Sequence, residues 1–337
     1  MQLPFRILSE APAYPAVVVD GAFDNAPKPT LHLSHWPGNH TPAQLKHDLS
    51  SGSALAFIAL PESEQRALLG PAEAWVNSHY DTDGCLALFA LREPELARLH
   101  GQAILDAAAA GDFFVWPNDQ ALAIDAIVGG LCHSERSPLA EQLASLGDVE
   151  RWQLCSEHLM QALPELLRGR LDPYRALWEP VLLRAKQDAL LLGGCTSTEI
   201  AALNLRVWRG SIAALDPGRH PLFQASGCER VLLLGEAREG TRVRLLESTL
   251  TWFELLSRAP SKRPDLQLLA AELNELEPEG EGFAWHAQPP QNPSPELWFG
   301  SSKQAAFAEH NAALEGSRIP PQQILERITA NLTTQLG

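Results

Sequence analysis

The segment AWVNSHYDTDGCLALFAL, Ala74 to Leu91, restricts the fold more than any other part of the sequence. An apolar run breaks into His-x-Asp-x-Asp-Gly and resumes at once as a second apolar run. A strand is predicted over residues 74–79, apolar enough to be internal, with a helix after Gly84. Strand, tight turn, helix is the grammar of α/β proteins, whose sites lie at the carboxyl ends of strands. Asp81 and Asp83 are two apart, so both can face one ion. Carboxylates attract hard divalent cations, and an imidazole beside them, here His79, suits Mn, Fe or Zn better than Ca or Mg. Gly84 permits the positive φ that a strand-to-helix elbow often needs, and the helix after it directs its first amides at an anion. The same D-T-D-G is also what an ordinary Asx-capped turn looks like. Its buried flanks favour a site, because a solvated turn needs none.

The chain around this segment reads as an α/β domain over 1–215 with inserted helices, followed by a smaller α+β domain over 216–337. The sheet is expected to be parallel or mixed, with flanking helices. AVVVDG and TLHLSH are predicted strands that end at turn formers. Thr41-Pro42-Ala43-Gln44 reads as a capping box opening a helix that runs to about Ala59. DFFVWP reads as a short strand, NDQALAIDAIVGGL as a helix ending at its glycines, and 139–192 as all helical, kinked or broken at Pro180. Past residue 216, ERVLLLGEA, TRVRLLEST and TWFELLSRA look like successive strands. RPDLQLLAAELNELE is an amphipathic helix, GFAWHAQ and ELWFGSS are strands, and PPQQILERITANLTTQL is a closing helix.

Charge narrows the partners. With 26 basic against 41 acidic residues and a net charge of −15, the chain cannot neutralise a phosphate backbone over a broad surface. A broad nucleic-acid surface and an anionic membrane are disfavoured, and a small anionic substrate in a local basic pocket is not. The five cysteines are widely spaced, without a Cys-x-x-Cys pair. A disulfide framework and structural zinc are therefore disfavoured, and reduced thiols in a cytoplasm are expected. MQLPFRILSEAPAYP does not read as a signal peptide. No window approaches the roughly 20 apolar residues of a membrane span.

Further candidates surround the central motif. SHWPGNH places His35 and His40 in a loop after a strand, where either can complete a metal site. Asp125 lies mid-helix among apolar residues, unusual for a carboxylate, and is a candidate ligand. Cys155 and His158 share a helix face; a Cys–His nucleophile pair is one reading, and a core thiol beside a surface imidazole is the favoured one. Asp216, Arg219 and His220 sit in a turn near the inferred domain junction, and His220 is a candidate substrate contact. SRAPSKRPDL gathers Arg258, Lys262 and Arg263, a candidate anion clamp. P-loop, G-x-S-x-G and H-E-x-x-H motifs are absent.

SHYDTDGCLALFAL resembles the first motif of the DHH phosphoesterase superfamily, which in its exonuclease branch is a strand, Asp-Tyr-Asp-x-Asp-Gly, then an apolar helix. On that resemblance Asp81 and Asp83 match metal-binding aspartates, His79 stands where that branch has its first Asp, and Asn77 stands where other branches place a metal-binding His. The resemblance implies an α/β domain and a smaller α+β domain with the site between them. The superfamily's Asp-His-His motif and its glycine triplet have no counterpart in this chain. HLSHWPGNHTP together with HYDTDG is also similar to a bacterial family of unassigned function. The expectation is a metal-dependent, phosphoesterase-like hydrolase acting on a small phosphorylated substrate. It would use Mn2+ first, with Fe2+, Zn2+ or Mg2+ as alternatives. His79, Asp81 and Asp83 would be the catalytic and metal residues, and Asn77 would join the substrate contacts. A non-hydrolytic metalloenzyme of small-metabolite or amino-acid metabolism, or a non-catalytic binding protein, are the other readings. The sequence leaves the oligomeric state open.

Overall fold

Short apolar strands with both faces covered read as uninterrupted hydrophobic runs, and that is how the first sheet is written. In the computed structural model β1 (Phe5–Ile7), β2 (Ala16–Val19), β3 (Leu31–Leu33) and β4 (Ala74–Asn77) form a sheet in the order β1-β4-β2-β3, every pair parallel. The model describes residues 3–23, 31–211, 217–236, 240–278, 282–301 and 314–337. Thr30, Asp216, Ala237 and Ser302, which fall in expected elements or turns, lie outside the described residues. The chain divides into two compact units, residues 1–183 with 253–260, and residues 184–252 with 261–337. The boundary expected at 215/216 falls within 212–216, outside the described residues; the chain passes between units at 183/184.

The first unit continues with helices α1 (Ser50–Ala59), α2 (Glu62–Leu69), α3 (Thr82–Arg92), α4 (Pro94–Leu99), α5 (Gly101–Phe113), α6 (Asp119–His133), α7 (Ala140–Leu143) and α8 (Asp148–Leu166). Helix α3 is buried from Thr82 to Leu91, as a helix hydrophobic all round must be, and it packs against α1 and α5. Small residues at the start of α1, Ser50 to Ala54, are all buried and allow that approach. Asn118 caps α6 by accepting from the Ala121 N–H at 2.9 Å. Helix α9 (Arg175–Leu192) runs from the first unit into the second.

The second unit holds β5 (Thr196–Ile200), β6 (Leu205–Ser211), α10 (Arg219–Ser226), β7 (Arg230–Glu236), β8 (Thr241–Glu247), α11 (Leu266–Leu276), β9 (Ala284–Ala287), β10 (Glu296–Gly300) and α12 (Pro321–Leu336). Its sheet runs β5-β6-β7-β8-β10-β9, with β6 and β7 parallel and the other pairs antiparallel. Alternate residues such as Val207, Leu232, Val243, Leu245 and Leu297 share one buried cluster with Leu269 and Leu273 of α11 and Ile324 and Ile328 of α12. The α/β class with parallel and mixed sheets under helices is thus as expected.

Several local expectations are corrected. Thr41 opens no helix: its hydroxyl donates to the Ser34 carbonyl at 2.7 Å and accepts the Ser34 N–H at 2.9 Å, so the loop uses the group a cap would need. Only a single 3-10 turn, Ala43–Leu45, follows it, and α1 begins at Ser50. DFFVWP is not a strand, since Phe113 ends α5 and Phe114 is left-handed at φ 53°. Helix α6 passes through its glycines to His133, and α9 continues through Pro180. TWFELLSRA forms no strand; a 3-10 turn at Thr249–Thr251 leads into residues 253–260, which return to the first unit. No helix among the described residues is long and apolar enough to cross a membrane.

Candidate metal centre

Three strand ends of the parallel sheet supply the centre. Asp20 follows β2, His35 lies two residues past β3, and Ser78 and His79 follow β4, so all meet at the carboxyl edge where α/β proteins place ligands. Asp20 is left-handed at φ 47°, a region Asp enters more readily than most non-glycine residues. Hydrogen bonds hold it there. The Asp20 N–H donates to the Leu33 carbonyl at 2.9 Å, the Gly21 N–H to Ser34 Oγ at 3.0 Å, and His32 Nε2 to the Gly21 carbonyl at 2.8 Å.

The two aspartates of the turn have different local duties. Asp81 caps α3, accepting the Gly84 N–H at Oδ1, 2.9 Å, while Oδ2 faces His79 Nε2 at 2.7 Å. Asp83 caps another helix. Leu49 has no side-chain acceptor to offer at the start of α1, and the Ser50 and Ser51 N–H groups donate instead to Asp83 Oδ2 and Oδ1, at 2.6 and 2.9 Å. Ser50 Oγ also donates to Asp20 Oδ1 at 2.8 Å. Gly84 lies in the first turn of α3 without the positive φ expected of it; what favours glycine is space, since a Cβ there would stand 2.3 Å from Asn77 Nδ2 and 2.7 Å from Asp20 Oδ2 and would have to displace them.

His35 is the most constrained donor. Its Nδ1 lies 2.5 Å from the Asp48 carbonyl oxygen. A carbonyl only accepts, so Nδ1 carries the proton and a neutral ring presents its lone pair at Nε2. Around Nε2 stand Asp112 Oδ2 at 3.1 Å, Asp20 Oδ1 at 3.5 Å and Asp83 Oδ2 at 3.7 Å. His35 Nε2 is buried without a hydrogen bond, and so is Asp20 Oδ2, which lies 3.2 Å from His79 Nε2. A lone pair facing three carboxylates is repulsive unless a proton or a cation sits among them. Metal–ligand bonds of about 2.0–2.2 Å set neighbouring ligand atoms roughly 3 Å apart, close to these separations.

Two groups can therefore hold a metal ion: Asp20, His79 and Asp81, and Asp20, His35 and Asp83, the ligand atoms in each lying within 4.8 Å of one another. Asp20 belongs to both. Phe253 stacks on His35, ring centroids 3.9 Å apart, and closes that group. The other is open, with the side chains of His79 and Asp81 19% and 33% exposed and Trp36 against His79 at 4.7 Å.

The electrostatics are those of a site short of positive charge. Burial disfavours the His35 imidazolium, yet Asp112, Asp20 and Asp83 outweigh it and hold the pKa well above the ordinary value. Burial opposes protonation of His79 too, and Asp81 and Asp20 win in the same way. Burial and then Asp20 raise Asp81 and push Asp83 up to about 6. Burial and Asp83 raise Asp112 well above the carboxylate range. Burial alone would raise Asp20, but His35 and His79 hold it well below. Protons occupy the places that cations would otherwise neutralise.

Residues 1–336 match the model of a family of unknown function, DUF6687. The chain belongs to this family. No curated protein matches it. DUF6687 thus supplies a family without an assigned chemistry, and the geometry of this member has to supply the rest.

Of the residues singled out in the sequence, His35, His79, Asp81 and Asp83 come together. Asp81 and Asp83 do not share one group, however; Asp20 links their two groups. His40 stays outside: its ring is exposed, and its backbone N–H donates to His32 Nδ1 at 3.0 Å. Asp125 joins neither group and accepts from Thr82 Oγ1 at 2.6 Å, bracing the turn between the two aspartates. Asn77 Oδ1 accepts the Ser78 and His79 N–H groups at 2.6 and 3.2 Å, so it shapes the same turn. Arg258 belongs to the first unit, while Lys262, Arg263 and His220 belong to the second. Arg263 lies over the Trp252 ring, 5.0 Å from its centroid, and donates to the Asn292 and Pro293 carbonyls. Asp20 and Asp112 were missed. The signals were there: Asp20 ends a buried strand as His79 does, and Asp112 is a carboxylate at the end of an alanine-rich helix.

Proposed function

We propose that this chain is a metal-dependent, phosphoesterase-like hydrolase acting on a small anionic, phosphorylated substrate. The observation that carries the reading is the Asp20 carboxylate shared by two Asp/His groups at the carboxyl edge of a parallel sheet. Mixed carboxylate and imidazole donors suit Mn2+ first, with Fe2+, Zn2+ or Mg2+ as alternatives. A bound divalent ion supplies Lewis-acid polarisation of water and of the substrate's oxygens. Asp20, His35 and Asp83 would hold an ion on the closed side, and Asp20, His79 and Asp81 on the open side. The Asp48 carbonyl orients the His35 ring, the kind of partner that fixes a ligand's tautomer. Phe253 and Phe113 exclude water from the closed side. The open side admits substrate beside Trp36, and in the metal-free protein His79 holds a proton at Nε2 between Asp81 and Asp20. Arg258, on the segment that also carries Phe253, is the cation of the first unit assigned to the substrate's charge. Asn77 remains a candidate substrate contact, while Lys262, Arg263 and His220 lie in the second unit and carry no part of this proposal. The resemblance of Ala74–Leu91 to the DHH first motif supports the same reading.

Elemental analysis of the purified protein, followed by assay of the manganese-loaded form against phosphate mono- and diesters, tests this. Bound metal with hydrolysis of at least one ester is expected. Bound metal with no hydrolysis across the panel would favour non-hydrolytic metal chemistry. No metal uptake at all would leave a binding protein with a structural acidic turn.

A further inference from the structure

The closed group poses a problem of access. The side chains of His35, Asp20 and Asp83 are fully buried, so no ion reaches them unless a cover moves. Two rings form that cover, and they are held very differently. Phe113, 6.3 Å from His35 between ring centroids, is the last residue of α5, a helix packed against α3 and α6. Phe253 lies nearly parallel to the His35 ring, at 13°. It belongs to residues 253–260, which form neither helix nor strand and are exposed from Leu256 to Pro260. Backbone of this kind opens at lower cost than a packed helix.

Polar bonds fasten the segment just past the ring. The Glu254 N–H donates to the His35 carbonyl at 2.8 Å. The Glu254 carboxylate accepts the Gly38 N–H at 2.8 Å and Asn39 Nδ2 at 2.9 Å. Further on, the Ser257 N–H donates to Asp48 Oδ1 at 2.8 Å, and the carbonyl of the same Asp48 holds His35 Nδ1. The segment is thus tied to both ends of the loop that carries His35. Glu254 and Gly38 are exposed, so water competes for their bond, and it breaks and re-forms at small cost.

We propose that residues 253–260 are the gate through which an ion enters and leaves the closed group, and that Glu254 is its latch. The inference rests on the metal reading above and adds the route. Opening lifts Phe253 from His35, and closing excludes water from the group. An ion passing instead from the open side across the shared Asp20 would need no gate. The Glu254 carboxylate touches no donor of the group, so it weighs equally on the empty and the loaded protein. Weakening it therefore raises entry and exit by one factor and leaves affinity unchanged. A displaced His35 would lower affinity instead. Each lost hydrogen bond is worth roughly fivefold in such an equilibrium, so losing both gives about tenfold or more.

The test compares the whole wild-type chain with Glu254→Ala and Glu254→Gln, each checked by circular dichroism. Stopped-flow manganese uptake and release to a chelator give the rates. Titration calorimetry gives affinity and the number of ions. Hydrogen exchange on the metal-free proteins reads opening without metal. In Glu254→Ala, uptake and release of the slower-exchanging ion should both rise about tenfold with affinity unchanged. Exchange over residues 36–40 and 253–260 should rise while α3 and α5 stay protected. Glu254→Gln, which keeps one acceptor oxygen, should fall between. Unchanged rates in Glu254→Ala, with the wild-type number of ions bound, overturn the gate and leave the metal reading standing. Faster release with unchanged uptake and weaker affinity overturns it too, because Glu254 would then be positioning His35. No manganese uptake by the wild type removes the metal reading and the gate with it.

Discussion

Replacing Asp20 by Asn removes the charge common to both groups and keeps the side chain's shape. Metal content should fall at least about tenfold, since even outer-shell partners of metal ligands cost roughly 10–100-fold when lost. The metal-free variant should also be less stable than wild type at neutral pH, because His35 and His79 hold the Asp20 pKa well below the ordinary value and its charge therefore stabilises the folded state. Asp83→Asn should act through a different cause. Its two oxygens accept the first amides of α1; Asn keeps one acceptor and turns an NH2 toward the other amide, and a buried donor left unsatisfied costs roughly 1–3 kcal/mol, read as a lowered denaturant midpoint without metal. The pH dependence follows from the same residues. The folded pKa values of His35 and His79 are raised, so their stabilisation is complete below about 6.5 and is lost as pH rises through the folded values. Asp83, raised to about 6, adds a loss of the same sign at lower pH, between the ordinary carboxylate value and about 6. The melting temperature of metal-free protein should therefore fall between pH 6 and 8.5. Saturating manganese should reverse the trend, because a cation must displace these protons. Calorimetry in buffers of different ionisation heat should show protons released on metal binding, and a release of none would contradict the assignment. At this scale the sequence was legible where donors cluster within a few residues, as His79, Asp81 and Asp83 do. Asp20 was hidden because Asp-Gly after a strand is also ordinary turn chemistry. Only the pairing of β2 beside β4 brings it to the same edge.

Elements brace the turn more than they supply ligands to it. Helix α6 holds Thr82 through Asp125 and holds Tyr80, whose hydroxyl donates to the Val128 carbonyl at 2.9 Å. Asp125→Ala should cost about 1 kcal/mol, the net worth of a typical hydrogen bond, and should weaken metal affinity while leaving the number of ions bound unchanged. Titration calorimetry with manganese reads both. A change in stoichiometry would instead make Asp125 a ligand. Strands and long helices were readable because period and burial agree along them, as in β7, β8, α11 and α12. Thr41 shows the limit of local rules: a hydroxyl suited to a cap bonds across the loop to Ser34, and nothing nearby in sequence announces that choice. Pro180 shows the same for breakers, since α9 carries on past the residue expected to break it.

At the scale of the molecule, the first unit is not continuous in sequence. Residues 253–260 return to it after the second unit has begun. Phe253 stacks on His35 there, Glu254 accepts from the Gly38 N–H and Asn39 Nδ2, at 2.8 and 2.9 Å, and the Ser257 N–H donates to Asp48 Oδ1 at 2.8 Å. Phe253→Ala should cost about 3 kcal/mol, as large-to-small aromatic changes in packed sites do, and should speed metal loss to a chelator more than it slows turnover. Sequence reading placed this segment in a strand of the second domain, because TWFELLSRA has the apolar pattern of one and a long-range return leaves no local mark. The return also sets a clock on biosynthesis. A nascent chain makes β2, β3, β4 and α3 early, but the ring that covers His35 comes about 70 residues after the first unit is left at residue 183. At roughly 5–20 residues per second, that is a delay of several seconds. Through that interval the Phe253 cover is still unmade, so ion capture by the proposed site during translation and ion retention afterwards would depend on different parts of the same chain.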